Sequence, residues 1–262
     1  MVILVLAAVA LSACAGDDNS GADAGPTVPP ATTASTAPMD YRGALVARLS
    51  REWDDPGLAE QVVAGLDDAA VEAFGARVAL DEVADHELLS YDLASIADDR
   101  IDSIVAFAFG YRDGPGGTRE PGPANEAMAA EIARFVTDHP VPVFAQTEIA
   151  ELLGADGVAD VTSIDPVVGP DGQVEYLSTA GVAEQVVATA RGAGVELGTV
   201  GIVCFADHLG RCVLTARAAG MDPAVPEGID PPRAYDPGSA QPWTTARVNY
   251  LATDLRGRLA TG

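Results

Sequence analysis

The sequence contains no lysine, so arginine alone carries its positive charge. Fifteen Arg residues stand against 39 Asp and Glu residues, which gives a formal net charge of −24 at pH 7. Nucleic-acid binding depends on neutralising many phosphates with basic side chains. The charge balance therefore argues against a nucleic-acid partner, and it equally argues against adhesion to an anionic membrane surface.

Histidine and cysteine are also scarce, with three residues of each. The histidines are scattered and no CxxC pair occurs, so the sequence predicts no zinc centre, although an oxygen-ligated Mg²⁺ stays open. The missing GxSxG element argues against an ordinary α/β-hydrolase serine. A P-loop would need a lysine, and the glycine spacing of the dinucleotide fingerprint is missing. No cofactor is assigned from the sequence.

The N-terminus carries the clearest targeting signal. Residues 2–13 form an apolar run that is too short to span a bilayer, which needs about 20 residues. The run ends in Leu11-Ser12-Ala13-Cys14, which resembles the lipobox of bacterial lipoproteins. Residues 1–14 are therefore predicted to be a lipoprotein signal peptide with Cys14 as the lipidated residue. The alternative is an ordinary signal peptide with an incidental cysteine. The predicted location is the extracytoplasmic face of the cell membrane, with the lipid anchor as the membrane contact.

Three further segments follow in the sequence. Residues 15–39 are rich in Gly, Asp, Ala, Thr, Ser and Pro, which predicts a disordered linker. Residues 40–97 repeat apolar side chains at three- and four-residue intervals and predict a helical N-terminal extension. In residues 98–262, short apolar runs alternate with amphipathic segments. That alternation predicts an α/β domain with a Rossmann-like parallel sheet flanked by helices.

The sharpest local feature follows the predicted strand at residues 199–205. In a parallel sheet, ligands bind at the carboxyl ends of the strands, where the strand order switches. His208 and Arg211 lie three residues apart at that end, and so share one helix face near an anion-attracting helix N-terminus. We expect Arg211 to hold a small anionic ligand and His208 to transfer protons. The alternative is that Asp207 simply caps the helix and His208 is a surface residue.

Other predicted strands also end in polar groups at the same edge of the sheet, where the carboxyl ends of the strands lie. A Gly-rich loop follows the strand at residues 103–109, and Ser178-Thr179 opens a later helix. Glu148 or Glu184 is the expected catalytic partner that would orient His208. The expected ligand-binding residues are Gly110, Arg112, Asn125, Ser178, Thr179, Arg211, Trp243 and Arg247.

Two features of this region leave alternatives open. Trp243 and Arg247 follow a long Pro/Gly-rich loop and could form a lid, or Trp243 could simply anchor the last helix. Cys204 and Cys212 lie on either side of the His208 turn. In an exported protein they could form a disulfide, and the alternative is two buried free thiols.

The order of these motifs resembles the YdcF/SanA/ElyC-like family of bacterial envelope proteins, over about residues 100–259. The resemblance is carried by His208-Leu209-Gly210-Arg211 after a strand, with Ser178-Thr179 and Glu184-Gln185 upstream. Ala145-Gln146-Thr147 departs from the Ser-Gly-Gly-like segment usual there. The resemblance implies a Rossmann-like domain with an envelope role. Two functions remain open: action on a phosphorylated or otherwise anionic envelope metabolite, and non-catalytic binding of a ligand or partner in the same cleft.

Overall fold

The computed structural model describes residues 37–169 and 174–261 of the chain. The predicted signal peptide, its Cys14 and most of the predicted linker lie outside these residues. The described residues belong to one unit that extends from Thr36 to Gly262. None of its described helices is both long enough and apolar enough to cross a membrane.

Eight α-helices are present in the described part of the chain. Local signals begin several of them: Asp55, Asp67 and Ser178 each accept a hydrogen bond from a backbone N–H in the first turn of the helix that follows. The helices are α1 (Ala37–Trp53), α2 (Pro56–Ala64), α3 (Asp68–Arg77), α4 (Pro123–Asp138), α5 (Thr147–Ala155), α6 (Thr179–Ala193), α7 (Leu209–Ala218) and α8 (Arg247–Leu259).

A six-stranded sheet forms the centre of the fold, and two short hairpins lie outside it. The sheet strands are β1 (Ser95–Ile96), β2 (Ser103–Ala106), β5 (Val143–Gln146), β6 (Val161–Ile164), β9 (Thr199–Val203) and β10 (Asp222–Pro226). The hairpins pair β3 (Arg112–Asp113) with β4 (Arg119–Glu120), and β7 (Val167–Val168) with β8 (Val174–Glu175).

All neighbouring strands of the central sheet run parallel, in the order β1-β10-β9-β2-β5-β6. Every residue of β2 and β5 is buried, because helices cover both faces of the sheet. The predicted Rossmann-like α/β fold is therefore confirmed. The chain builds outward from β2 through β5 and β6 in one direction, and through β9 and β10 in the other. The switch in strand order thus lies between β2 and β9.

The N-terminal helices pack against the end of the chain. Leu45 and Leu49 of α1 and Phe74 of α3 are fully buried together with Leu251 and Leu255 of α8. The same helix α8 also contributes Tyr250 to the hydrophobic core around the sheet. Residues 40–97 thus share a hydrophobic core with the last helix of the α/β region.

Candidate functional site

A cleft of about 260 Å³ lies at the carboxyl ends of the central strands. Phe109 and Gly110 line it from the loop after β2, and Gln146 ends β5 at its wall. His208 and Arg211 line it from the turn after β9 and the start of α7. Because β2 and β9 are the two strands between which the order switches, the cleft occupies the position where ligands bind in sheets of this type.

Six of the residues predicted from the sequence line this cleft. They are Gly110, Ser178, Thr179, His208, Arg211 and Trp243. The remaining five lie elsewhere in the structure: Arg112, Asn125, Glu148, Glu184 and Arg247.

Two of the predicted arginines are held by carboxylates outside the cleft wall. Arg112 Nε lies 2.8 Å from Asp236 Oδ2, and Arg247 Nε lies 2.8 Å from Asp207 Oδ2. Asp207 consequently faces Arg247 and does not cap α7, at whose start no side-chain cap is found. These two arginines bind neighbouring loops to one another.

Asn125 supports the cleft from behind. Its side chain is fully buried, where Oδ1 accepts a 2.8 Å hydrogen bond from the Phe109 N–H and Nδ2 donates a 2.8 Å bond to the Gly110 carbonyl. Gly110 itself has a positive φ of 71°, a conformation that glycine adopts without steric cost. Asn125 therefore fixes the loop after β2 and does not contact a ligand in the cleft directly.

Neither predicted glutamate accompanies His208. Glu148 is buried in the first turn of α5, beside a separate cleft bordered by Arg119, and its burial raises the pKa of its carboxyl. Glu184 is exposed on α6. The carboxylate nearest to His208 is instead that of Asp254, whose Oδ1 lies 3.8 Å from His208 Nδ1. The structure therefore replaces Glu148 and Glu184 with Asp254 as the acidic neighbour of the histidine.

Asp254 is the centre of a buried ionic cluster. It is fully buried on α8, and its Oδ1 lies 3.1 Å from Arg211 Nε. Its Oδ2 accepts a 2.7 Å bond from Arg258 Nε and a 3.0 Å bond from the Tyr91 hydroxyl. Burial opposes the charged carboxylate, but Arg258 above all outweighs it and holds the pKa of Asp254 well below its usual range.

The charges of this cluster do not cancel. Arg211 and Arg258 supply two positive charges, and Asp254 supplies one negative charge. Arg258 is fully buried, whereas Arg211 retains 17% side-chain exposure and lines the cleft. The surplus positive charge is therefore available at the cleft wall.

His208 is held between aromatic rings and Arg211. Its side chain is almost fully buried, and its ring packs near Phe107, Phe109 and Tyr250. Arg211 Nε donates a 3.3 Å hydrogen bond to His208 Nδ1. Burial alone would lower the pKa of this ring, but contacts with Cys212 and Asp254 outweigh it and raise the pKa above its usual value.

Two glycines make room for the arginines of the cluster. A Cβ atom at Gly257 would lie 2.8 Å from Arg211 Cδ, and one at Gly210 would lie 2.8 Å from the Ser90 carbonyl oxygen. A Cβ atom this close forces the neighbouring atoms to shift, which a flexible arginine side chain allows more easily than a backbone carbonyl does. Glycine at both positions therefore lets α7 and α8 approach closely, with Asp254 buried between two guanidinium groups.

No protein-family model, curated protein or solved structure matches this chain. The chemical role of the site is therefore inferred from its geometry.

The sequence left open either a disulfide between the two cysteines or two buried free thiols, and the structure has the second arrangement. Cys204 and Cys212 are both free and buried in the structure. Burial raises the pKa of the Cys212 thiol well above its usual value, so this sulfur is protonated near neutral pH. A protonated, inaccessible thiol is a poor nucleophile, which makes Cys–His catalysis at His208 an unsuitable mechanism.

Proposed function

We propose that this chain binds a small anionic ligand, such as a phosphate-bearing metabolite, in the cleft at the β2–β9 switch point. One observation carries the proposal. In a chain with a net charge of −24, the described residues that line this cleft include Arg211 and His208 but no Asp or Glu. A locally positive cleft on an otherwise acidic protein attracts anions to that place.

Contacts with neighbouring side chains hold the Arg211 guanidinium group in one orientation. Its Nε lies against Asp254 and His208, and its Nη2 donates a 3.1 Å hydrogen bond to the Tyr250 hydroxyl. Its Nη1 has no hydrogen-bond partner among the described residues. A guanidinium group held in one orientation loses little freedom when it binds a carboxylate or phosphate.

Binding is better supported than catalysis. Within the part of the chain that the structure describes, no group of three His, Cys, Asp or Glu side chains is arranged to hold a metal ion. The two cysteines are inaccessible, and burial keeps the thiol beside His208, that of Cys212, protonated. A catalytic use of His208 on an anionic envelope metabolite stays a prediction from the sequence.

Replacing Arg211 with methionine tests the anion site. We expect the affinity for inorganic phosphate, measured by isothermal titration calorimetry, to fall about ten- to a hundredfold, because a charge-assisted hydrogen bond is lost. Asp254 keeps Arg258 as its partner, so the fold should persist and circular dichroism should show it. Arg112→Met is the matched control, since it removes an arginine that does not line the cleft. Equal losses in both variants, or no binding by the wild type, would reject the proposal.

We further propose that the chain is a lipid-anchored protein of the cell envelope. The lipobox-like Leu11-Ser12-Ala13-Cys14 supports this location, and the His208-to-Arg211 motif after a central strand supports membership of the YdcF/SanA/ElyC-like family. A ligand-binding domain on a tether suits such a location.

The anchor is tested with Cys14→Ser in the full chain. We expect the wild type to remain with the membrane fraction and the variant to move to the soluble fraction, because the thiol that carries the lipid is absent. Immunoblotting of both fractions measures the distribution, and Ser20→Ala should fractionate as the wild type does. A variant that stays fully with the membrane would contradict lipidation at Cys14.

A further inference from the structure

Uncharged hydrogen-bonding groups surround the positive end of the cleft. The Gln241 side chain is only 7% exposed and lines the cleft, yet its amide has no hydrogen-bond partner among the described residues. Gln146 is 6% exposed, and its Oε1 accepts a 2.8 Å bond from the Ala108 N–H. The Gln146 amino group also contacts the Tyr176 hydroxyl, and its second N–H remains as a donor at the cleft wall. Neither atom of the Gln241 amide is among the fully buried polar atoms without a partner, so the amide reaches the open cleft, where it can bond a polar ligand.

Hydroxyl groups complete the same wall. Ser178 and Thr179 line the cleft from the start of α6, and Thr253 lines it from α8. The Ser178 oxygen accepts a bond from the Gly181 N–H, which leaves its own proton free to donate. The cleft thus offers several neutral donors and acceptors beside one cation, which suits a ligand with many hydroxyl groups and one anionic group.

Trp243 supplies an apolar surface at the mouth of the cleft. It is 45% exposed, unusually high for so large an apolar side chain, and it lies in a short helical turn at residues 242–244. An exposed indole face packs well against the C–H groups of a saturated ring, because it buries apolar area while the ring hydroxyls stay hydrated or bonded.

The size of the cleft limits the ligand. Its volume of about 260 Å³ lies just below the range of about 300–1,000 Å³ that is usual for pockets of drug-sized ligands. A dinucleotide or a long chain would therefore not be enclosed. One six-membered ring with a single phosphate group is a ligand of suitable size.

We propose that the cleft binds a monosaccharide phosphate, with its phosphate on Arg211, its hydroxyl groups on Gln241, Gln146 and Thr179, and one ring face on Trp243. This inference rests on the proposed anion site and adds the chemical class of the ligand. It uses neutral groups that the anion proposal does not need, so the two can fail separately.

Calorimetric titration of the full chain with four probes tests the inference. The probes are inorganic phosphate, glucose 6-phosphate, glucose 1-phosphate and adenosine monophosphate. We expect at least one glucose phosphate to bind about tenfold more tightly than inorganic phosphate, because one or two neutral hydrogen bonds and a ring contact are added. Trp243→Ala and Gln241→Leu should each reduce that advantage over inorganic phosphate severalfold. Leu80→Ala removes a comparably exposed apolar side chain elsewhere and should have no effect.

Each result separates the two proposals. If both glucose phosphates bind no better than inorganic phosphate, the sugar inference is overturned and the anion site stands. Tighter binding of adenosine monophosphate than of either sugar phosphate would also overturn the inference, in favour of a planar ring on Trp243. Binding of none of the four probes would reject the anion site itself.

Discussion

Replacement of Asp254 by asparagine should lower the free energy of unfolding by about 3–5 kcal/mol, the usual cost of removing one partner from a buried ion pair. The variant keeps the fully buried Arg258 and the largely buried Arg211 without a carboxylate between them. Two neighbouring guanidinium groups would then repel one another in a poorly solvated site. Urea unfolding of the wild type and the variant, followed by far-ultraviolet circular dichroism, measures the difference.

Acid should reduce the difference in free energy of unfolding between the wild type and Asp254→Asn. Because the pKa of Asp254 is lowered in the folded protein, its carboxylate contributes its full stability above about pH 4, where an unfolded aspartate is ionised. The contribution declines as the pH falls toward the folded pKa. The gap between wild type and Asp254→Asn should therefore shrink below about pH 4. Asp85→Asn is the control, since Asp85 is exposed and its replacement should change stability by less than about 0.5 kcal/mol. If Asp254→Asn lowers the free energy of unfolding at pH 7 by as little as Asp85→Asn does, the central role of Asp254 is contradicted.

Phe74→Ala should also cost about 3–5 kcal/mol, because it removes a fully buried aromatic side chain from the core between α3 and α8. We expect the entire described unit to unfold in one transition at lower denaturant. The physical reason is that α8 belongs to both hydrophobic cores, through Leu251 and Leu255 on one side and Tyr250 on the other. Loss of the N-terminal helices would expose α8 and destabilise the sheet.

Two probes test whether the N-terminal helices and the sheet unfold together. Fluorescence of Trp53, in a chain whose other tryptophan, Trp243, is replaced by phenylalanine, reports on the N-terminal helices, and circular dichroism reports on all helices. Leu80→Ala removes a half-exposed apolar side chain and should change stability by at most about 0.5 kcal/mol. Separate transitions for the two probes would show that residues 40–97 unfold independently of the sheet.

The position of the cleft could be predicted from the sequence. The apolar run at residues 199–205 and the His208-to-Arg211 turn are local signals, and the strand-end rule converts them into a place on the fold. The same rule selected Gly110, Ser178 and Thr179, which line the cleft. The same rule also selected Arg112, and the lid interpretation selected Arg247, yet both arginines meet carboxylates on neighbouring loops. The sequence does not show which loops approach one another.

The buried cluster was not predicted. Tyr250, Asp254 and Arg258 recur at four-residue spacing on α8, a pattern that places them on one helix face and indicates an ion pair between the last two. Their contact with Arg211 is not visible in that pattern. It depends on how closely α7 and α8 approach, which Gly210 and Gly257 permit.

The sequence by itself determined the alternation of strands and helices, the caps of several helices and the presence of a cation at one strand end. Each of these depends on neighbours within a few turns of the chain, and so can be read from local periodicity and residue type. Only the tertiary structure decided that Asp254, and not Glu148 or Glu184, lies beside His208. It also left Cys204 and Cys212 as buried thiols and placed Gln241 in the cleft wall. These outcomes depend on how distant segments dock, and that docking follows from the packing of whole helix faces around two shared cores.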